Sequence, residues 1–169
     1  MKALLIAAVV AATAQVQAQS QSQSQAEGTQ IELDKLYIGG NLTHNVIDSP
    51  FGGSSLDANG VSVFAGYAFA NDIPQVNTYA ELGYSQTDDF FANNDIRGIW
   101  AAAVAEKSLP EVDPRLSALA RFGIDFGDDD GMFIGAGAGF RASDALSLRA
   151  EFINKDASTV YQLGAVFHF

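Results

Sequence analysis

The last eleven residues, Thr159 to Phe169, alternate strictly. Counting back from Phe169 in steps of two gives Phe167, Ala165, Leu163 and Tyr161; between them lie His168, Val166, Gly164, Gln162 and Val160. A strand sends successive side chains to opposite faces. One face is therefore apolar with aromatics near both ends, and the other is small or mixed. An apolar band with aromatic ends suits a strand crossing a bilayer, with rings at the two water interfaces. A half-buried strand of a soluble sandwich or barrel has the same period, so the other segments must decide.

The pattern recurs. From Leu36 onward eight segments of about ten residues are each bounded by turn residues, and strands are predicted over 36–45, 61–70, 77–86, 96–107, 115–126, 132–142, 146–155 and 159–169. Their more apolar faces carry Ile38 and Leu42; Val61, Val63, Tyr67 and Phe69; Leu82 and Tyr84; Trp100, Ala102 and Val104; Phe122, Ile124 and Phe126; Ile134 and Phe140; Leu148 and Phe152; and the terminal set. In the fourth segment Ala occupies both faces, and Arg97, Ile99, Ala101, Ala103 and Lys107 form its other face. Turn chemistry separates the segments: Asn71-Asp72-Ile73-Pro74, the Pro110 to Pro114 stretch, GDDDG at 127–131 and Ser143-Asp144.

The charged residues test these registers, which rest on apolar residues alone. Glu81, Arg97, Lys107, Arg115, Arg121, Asp125, Arg141, Arg149, Glu151 and Lys155 fall opposite the apolar face, and only Glu106 falls on it, next to a turn. An Arg or Lys facing lipid at mid-depth costs about 2–4 kcal/mol. The charged face also carries many Gly and Ala, which describes a narrow interior where Gly leaves room for long Arg and Glu side chains. The fold expected is all-β, an eight-stranded antiparallel up-and-down transmembrane β-barrel. A soluble lipocalin-like binder would put its apolar face inside, and gives no reason to end on Phe.

Composition agrees. Of 169 residues 48% are hydrophobic, yet no run approaches the ~20 apolar residues a spanning helix needs. Only helices and closed barrels satisfy the backbone in lipid. With no Cys, neither a disulfide framework nor a thiolate metal site is possible, and a net charge of −11 argues against nucleic acid. Lys2, the apolar run Ala3 to Ala12 and the small residues of Val16-Gln17-Ala18 read as a signal peptide over 1–18, cleaved before Gln19, with Ala14 as the alternative. Cleavage removes Lys2, leaving 8 basic against 20 acidic residues and a net charge of −12. Residues 19–35, opening QSQSQSQA, have little to bury and are expected to be a disordered leader ahead of a barrel over 36–169.

The signal peptide, the stretch GAGAGFRASDALSLRAEF (135–152) and the terminal Tyr161…Phe167-His168-Phe169 resemble the small outer-membrane β-barrel family of Gram-negative bacteria, which includes OmpA/OmpX-type barrels, opacity-like surface proteins and many porin-family chains. The resemblance spans residues 36–169. It implies the cell outer membrane, both termini in the periplasm, and the 45–60, 87–95, 127–131 and 154–158 connections outside. It also implies that Tyr161, Leu163, Ala165, Phe167 and Phe169 form the signal read by the assembly machinery. The partners implied are outer-membrane lipid and lipopolysaccharide, that machinery and periplasmic chaperones. The outer connections are shorter than those of adhesive members, so an adhesin or invasin role is not expected. No peptidoglycan-binding domain follows Phe169, so wall anchoring is not expected either.

An eight-stranded barrel is just wide enough for side chains to fill. Buried charges must be paired, so Glu81, Arg97, Arg121, Asp125, Arg141, Arg149 and Glu151 are expected to form a lumen charge network that plugs it. The function expected is a structural or surface-interaction role for a monomer. A narrow porin-like channel is the alternative; five Arg and two Lys against three acids on the inner face would favour anions. A lipid A-modifying enzyme would need a nucleophile and base. His168 has no Ser or acid beside it on its strand and His44 ends the first strand, so no enzyme is expected. Asp128-Asp129-Asp130 lacks the spacing of a calcium loop, and neither metal nor cofactor is expected. The acidic loops could share divalent cations with lipopolysaccharide phosphates. Phe90-Phe91 is an exposed aromatic pair that either meets a partner or caps the rim.

Overall fold

Period-two alternation commits each segment to a two-faced strand, and tight turns leave each strand only its sequence neighbour to pair with. The computed structural model describes residues 32–47, 56–88, 95–156 and 158–169; the signal peptide, the Gln/Ser tract and Phe90-Phe91 lie outside the described residues. The strands are β1 (Leu36–Ile47), β2 (Leu56–Phe69), β3 (Val76–Thr87), β4 (Arg97–Ser108), β5 (Leu116–Gly127), β6 (Gly131–Arg141), β7 (Leu146–Lys155) and β8 (Ser158–His168). Each is antiparallel to the next, and β8 closes onto β1 from Tyr37↔His168 to Ile47↔Ser158, so the barrel has no open edge. Turns at 70–75, 109–115 and 142–145 share one end with the chain terminus, here the terminal end. The other three hairpin connections and 88–96 make the loop end.

Two boundaries depart from expectation. The β1–β2 ladder continues to Val46↔Asp57 and Ile47↔Leu56, leaving 48–55 as the connection rather than 45–60. Asn45, a turn residue by composition, sits inside the ladder because its Nδ2 donates to Thr43 Oγ1 (3.0 Å) and the Ala58 carbonyl (3.3 Å) within the barrel. At the other end the described chain has structure ahead of Leu36. Leu33–Lys35 forms a 3-10 turn, with Lys35 Nζ 2.6 Å from Glu32 Oε2.

The outer face is apolar throughout its middle. Leu42, Leu82, Phe122, Ile134, Leu163 and Phe167 are each more than half exposed. Exposed apolar surface on this scale has no place in water; it matches a face against lipid. The inner face is where burial is complete: Tyr37, Val166, Glu81, Arg121 and Arg149 are all less than 5% exposed.

One strand faces the opposite way from its predicted register. In β4, Trp100, Ala102, Val104 and Glu106 point inward, while Arg97, Ile99, Ala101, Ala103, Ala105 and Lys107 point outward. Glu106 thereby leaves the lipid face. Arg97 and Lys107 sit at the two ends of the strand, where long basic side chains reach the headgroup region. Ten residues at ~3.3 Å each, tilted by ~40°, separate them by roughly 25 Å, the height of an apolar band.

Candidate functional site

The interior is built from rings seated over glycines. Tyr37 pairs directly with Gly66, Phe64 with Gly39, Trp100 with Gly83, and Phe133 with Gly123, on neighbouring strands. At each of these glycines a Cβ would collide with the ring opposite. The glycines thus make room mainly for aromatic rings, and only in places, as at Gly137 beneath Glu151, for a charged side chain. The rings form a chain across the lumen: Tyr37–Phe64 centroids are 6.3 Å apart, Phe64–Trp100 5.8 Å and Trp100–Phe133 6.4 Å.

Around this chain the charges are laced together. Arg121 on β5 reaches Glu81 on β3 (Nη1–Oε2 2.7 Å) and Glu151 on β7 (Nε–Oε2 2.9 Å). Arg149 on β7 reaches the other oxygen of Glu81 at 2.7 Å and Glu106 on β4 at 3.6 Å. The Tyr37 hydroxyl donates to Glu81 at 2.6 Å, Gln162 Nε2 to Glu151 at 3.1 Å, and the Ser117 hydroxyl to Glu106 at 2.7 Å. The guanidinium of Arg121 lies 5.3 Å from the Trp100 ring, and that of Arg149 lies 5.5 Å from Tyr37 and 5.8 Å from Tyr79. The side chains of Arg121, Arg149, Glu81 and Glu151 are at most 2% exposed. Charges this deeply buried persist because every one is paired and hydrogen-bonded.

A second, smaller cluster lies toward the loop end. Lys155 Nζ is 2.5 Å from Asp125 Oδ2 and 3.5 Å from Asp129, whose carboxylate also accepts from the Ser158 hydroxyl at 2.7 Å. It borders a cavity of about 50 Å³ floored by Trp100, Phe133 and Arg121 and walled by Thr43, Ser62, Ser85, Thr87 and Gln162. The loop half of the lumen is therefore a small polar vestibule. The terminal half holds Tyr37, Arg149 and Val166, all buried.

Of the seven charges expected in the lumen, Glu81, Arg121, Arg149 and Glu151 meet in the first cluster and Asp125 in the second. Arg97 and Arg141 do not join them. Arg97 is turned outward at the loop end by the inverted β4, and its backbone N–H is bound to Asp128 Oδ2 at 3.1 Å. Arg141 is the last residue of β6, exposed at the terminal rim. Lys107 also faces outward. Arg115 lies in the 109–115 turn, paired with Asp113 at 3.2 Å, and this pairing holds the Asp113 carboxyl below its usual range. The terminal set is placed as drawn: Tyr161, Leu163 and Phe167 on the outer face, with Ala165 half-buried among them and Phe169 exposed beyond β8. Glu106, Tyr37 and Trp100 are lumen residues that the sequence reading missed. A cross-strand Gly opposite each ring marks Tyr37 and Trp100, whereas Glu106, paired with Asn77 and Leu119, follows only from the phase of β4.

The two histidines are also separated. His44 faces outward and bonds Asn59 through Nδ1 at 3.0 Å. His168 lies half-buried at the terminal mouth, and β7 supplies the serine its own strand lacks: Ser147 Oγ is 3.4 Å from Nε2.

No curated protein matches this chain. Solved structures share its fold. A de novo designed transmembrane β-barrel superposes with a TM-score of 0.59 at 18% identity, over 82% of this chain and 98% of the design. Neisserial surface protein A follows at 0.57 and 15%, over 80% and 97% of the two chains. Ail, the attachment invasion locus protein of Yersinia pestis, gives 0.51 and 17%, over 79% and 96%. The family model for the outer membrane protein beta-barrel domain matches residues 4–169, nearly the whole chain. This chain, a small eight-stranded outer-membrane barrel whose lumen holds a buried salt-bridge network, belongs to that family.

Proposed function

We propose that this protein serves a structural or surface-interaction role in the outer membrane, as a monomer whose lumen is closed by its own side chains. The observation that carries this is Arg121. Its guanidinium spans from β3 to β7 by binding Glu81 and Glu151, with Arg149 bracing Glu81 from the same side. Four charged side chains with almost no exposure support a lumen closed to a continuous water path in the terminal half. Export by the 1–18 signal peptide puts both termini in the periplasm and the acidic connections outside, among lipopolysaccharide phosphates. Its partners are then outer-membrane lipid and lipopolysaccharide, with the assembly machinery and periplasmic chaperones acting before insertion. No catalysis is proposed: the Ser147–His168 contact is long, and among the described residues no carboxylate hydrogen-bonds His168.

Planar-bilayer recordings test the closed lumen. Purified protein at single-molecule levels should give no conductance steps. Regular steps would overturn this reading in favour of a narrow channel. Deletion of the gene should leave the lipid A mass profile unchanged; a missing modification would overturn the non-enzymatic part.

A further inference from the structure

The ion pairs inside the barrel join three cations, Arg121, Arg149 and Lys155, to five carboxylates, Glu81, Glu106, Glu151, Asp125 and Asp129. The sign is the reverse of the basic excess that composition alone assigns to this face. It arises because Arg97, Lys107, Arg115 and Arg141 stand outside the lumen while Glu106 enters it and Asp129 joins from the 128–130 turn. Excess negative charge in a poorly hydrated interior is costly unless a counter-charge joins it. The loop-half cluster carries part of that excess, with two carboxylates on one ammonium, and it is the cluster that borders free space.

Asp125 is only 4% exposed. Its Oδ2 is held by Lys155, but its Oδ1, buried against Gly98, has no hydrogen-bond partner among the described residues. Across the same cavity the Ser62 hydroxyl, on a residue also 4% exposed, has none either. Buried polar atoms left without partners mark a place for water or an ion. One water needs ~10–15 Å³, so the cavity takes roughly three to five waters, or a small ion with part of its shell. It is too small for a sugar or peptide. The walls offer neutral oxygens from Thr43, Asn45, Ser85 and Thr87. Among the described residues no three His, Cys, Asp or Glu side chains converge, and two carboxylates on one ammonium leave a single negative charge for a counter-ion to match.

We propose that the vestibule binds one small monovalent cation, entering from the loop end. Asp125 Oδ1 is its charged ligand, and Ser62 Oγ and the neighbouring hydroxyls complete its shell directly or through water. Lys155 stays on Asp125 Oδ2 and Asp129, so the cation neutralises the charge that the ammonium leaves over. The site requires only the vestibule, so its failure is distinct from failure of the closed-lumen reading, which is judged by conductance.

The experiment uses the full chain, refolded without lipopolysaccharide in a zwitterionic detergent. The midpoint temperature at which the compact folded band converts to the unfolded one is read in sodium chloride and in equimolar N-methyl-D-glucamine chloride. The midpoint should be several degrees higher in sodium. Asp125→Asn should abolish that difference, Ser62→Ala should shrink it, and Asp130→Asn in the exposed turn should leave it intact. If Asp125→Asn does not fold, Ser62→Ala and the sodium-23 linewidth of the wild type carry the test, the line broadening with protein and narrowing when potassium is added. Equal midpoints in the two salts, a sodium effect undiminished in the folded variants, or an unbroadened line would each overturn the site.

Discussion

Arg121→Met removes the guanidinium that ties β3 to β7 and leaves an apolar chain of similar length. The two carboxylates it served are not equally exposed to the loss. Glu81 keeps Arg149 at 2.7 Å and the Tyr37 hydroxyl at 2.6 Å. Among the described residues Glu151 keeps only the Gln162 amide at 3.1 Å, with its side chain 1% exposed. Glu151 is thus the stranded charge. Breaking a buried pair by deleting one partner costs about 3–5 kcal/mol, much of it for the charge left behind. Arg121→Met should lower stability by that amount.

The reasoning is tested by which second change restores it. Arg121→Met with Glu151→Gln removes the stranded charge and leaves the Arg149–Glu81 pair whole, so most of the loss should return. Arg121→Met with Glu81→Gln has the same net charge, yet it takes from Arg149 its close partner, leaves Glu106 at 3.6 Å, and still strands Glu151. It should rescue little. Urea unfolding from lipid vesicles measures all three, read by the emission of Trp100, the single tryptophan, whose ring lies 5.3 Å from the Arg121 guanidinium. A wild-type midpoint for Arg121→Met, or equal rescue by the two partners, would refute the assignment of Arg121 as the cross-lumen tie.

Other outcomes follow from the same geometry. Ala102→Leu overfills the lumen and should cost about 1–3 kcal/mol, whereas Ala103→Leu faces lipid and should be nearly neutral; the opposite ranking in urea titrations would restore the β4 register expected from the pattern. Gly83→Val places branches where the Trp100 indole lies and should cost about 1–3 kcal/mol while shifting tryptophan emission; an unchanged spectrum and midpoint would remove the ring-over-glycine account. Deleting Phe169 should reduce the fraction recovered as a compact, heat-modifiable outer-membrane band, and normal recovery would contradict its part in assembly. An epitope inserted in the 128–130 turn should bind antibody on intact cells, and one at 143–144 only after permeabilisation; the reverse would invert the proposed orientation.

Seven of the eight strand registers were legible because each has contrast between its faces: Val61, Val63, Tyr67 and Phe69 against Ser62 and Gly66, or Leu148 and Phe152 against Arg149 and Glu151. The β4 strand has none. Ala101, Ala102, Ala103 and Ala105 give both faces the same size and polarity, so hydrophobic period has nothing to measure. Two general rules do not correct the register. Charges avoid lipid in the middle of the band, yet Arg97 and Lys107 stand at its edges, where an outward basic residue costs little. Aromatics line the outer rims, yet a ring can equally fill the lumen wherever the facing strand offers a glycine. Gly83 opposite Trp100 and Gly123 opposite Phe133 decide the question, but only once the cross-strand pairing is known. That pairing is a property of the closed sheet rather than of any one segment. The same dependence explains the charge balance. A strand read one residue out of phase exchanges its faces completely, so inverting β4 moves Arg97 and Lys107 out and Glu106 in. One ambiguous strand of alanines thus takes three units of positive charge from the lumen, and Arg115 and Arg141 at the terminal rim together with Asp129 from the loop end turn the balance negative, which sets the class of ion the interior can hold.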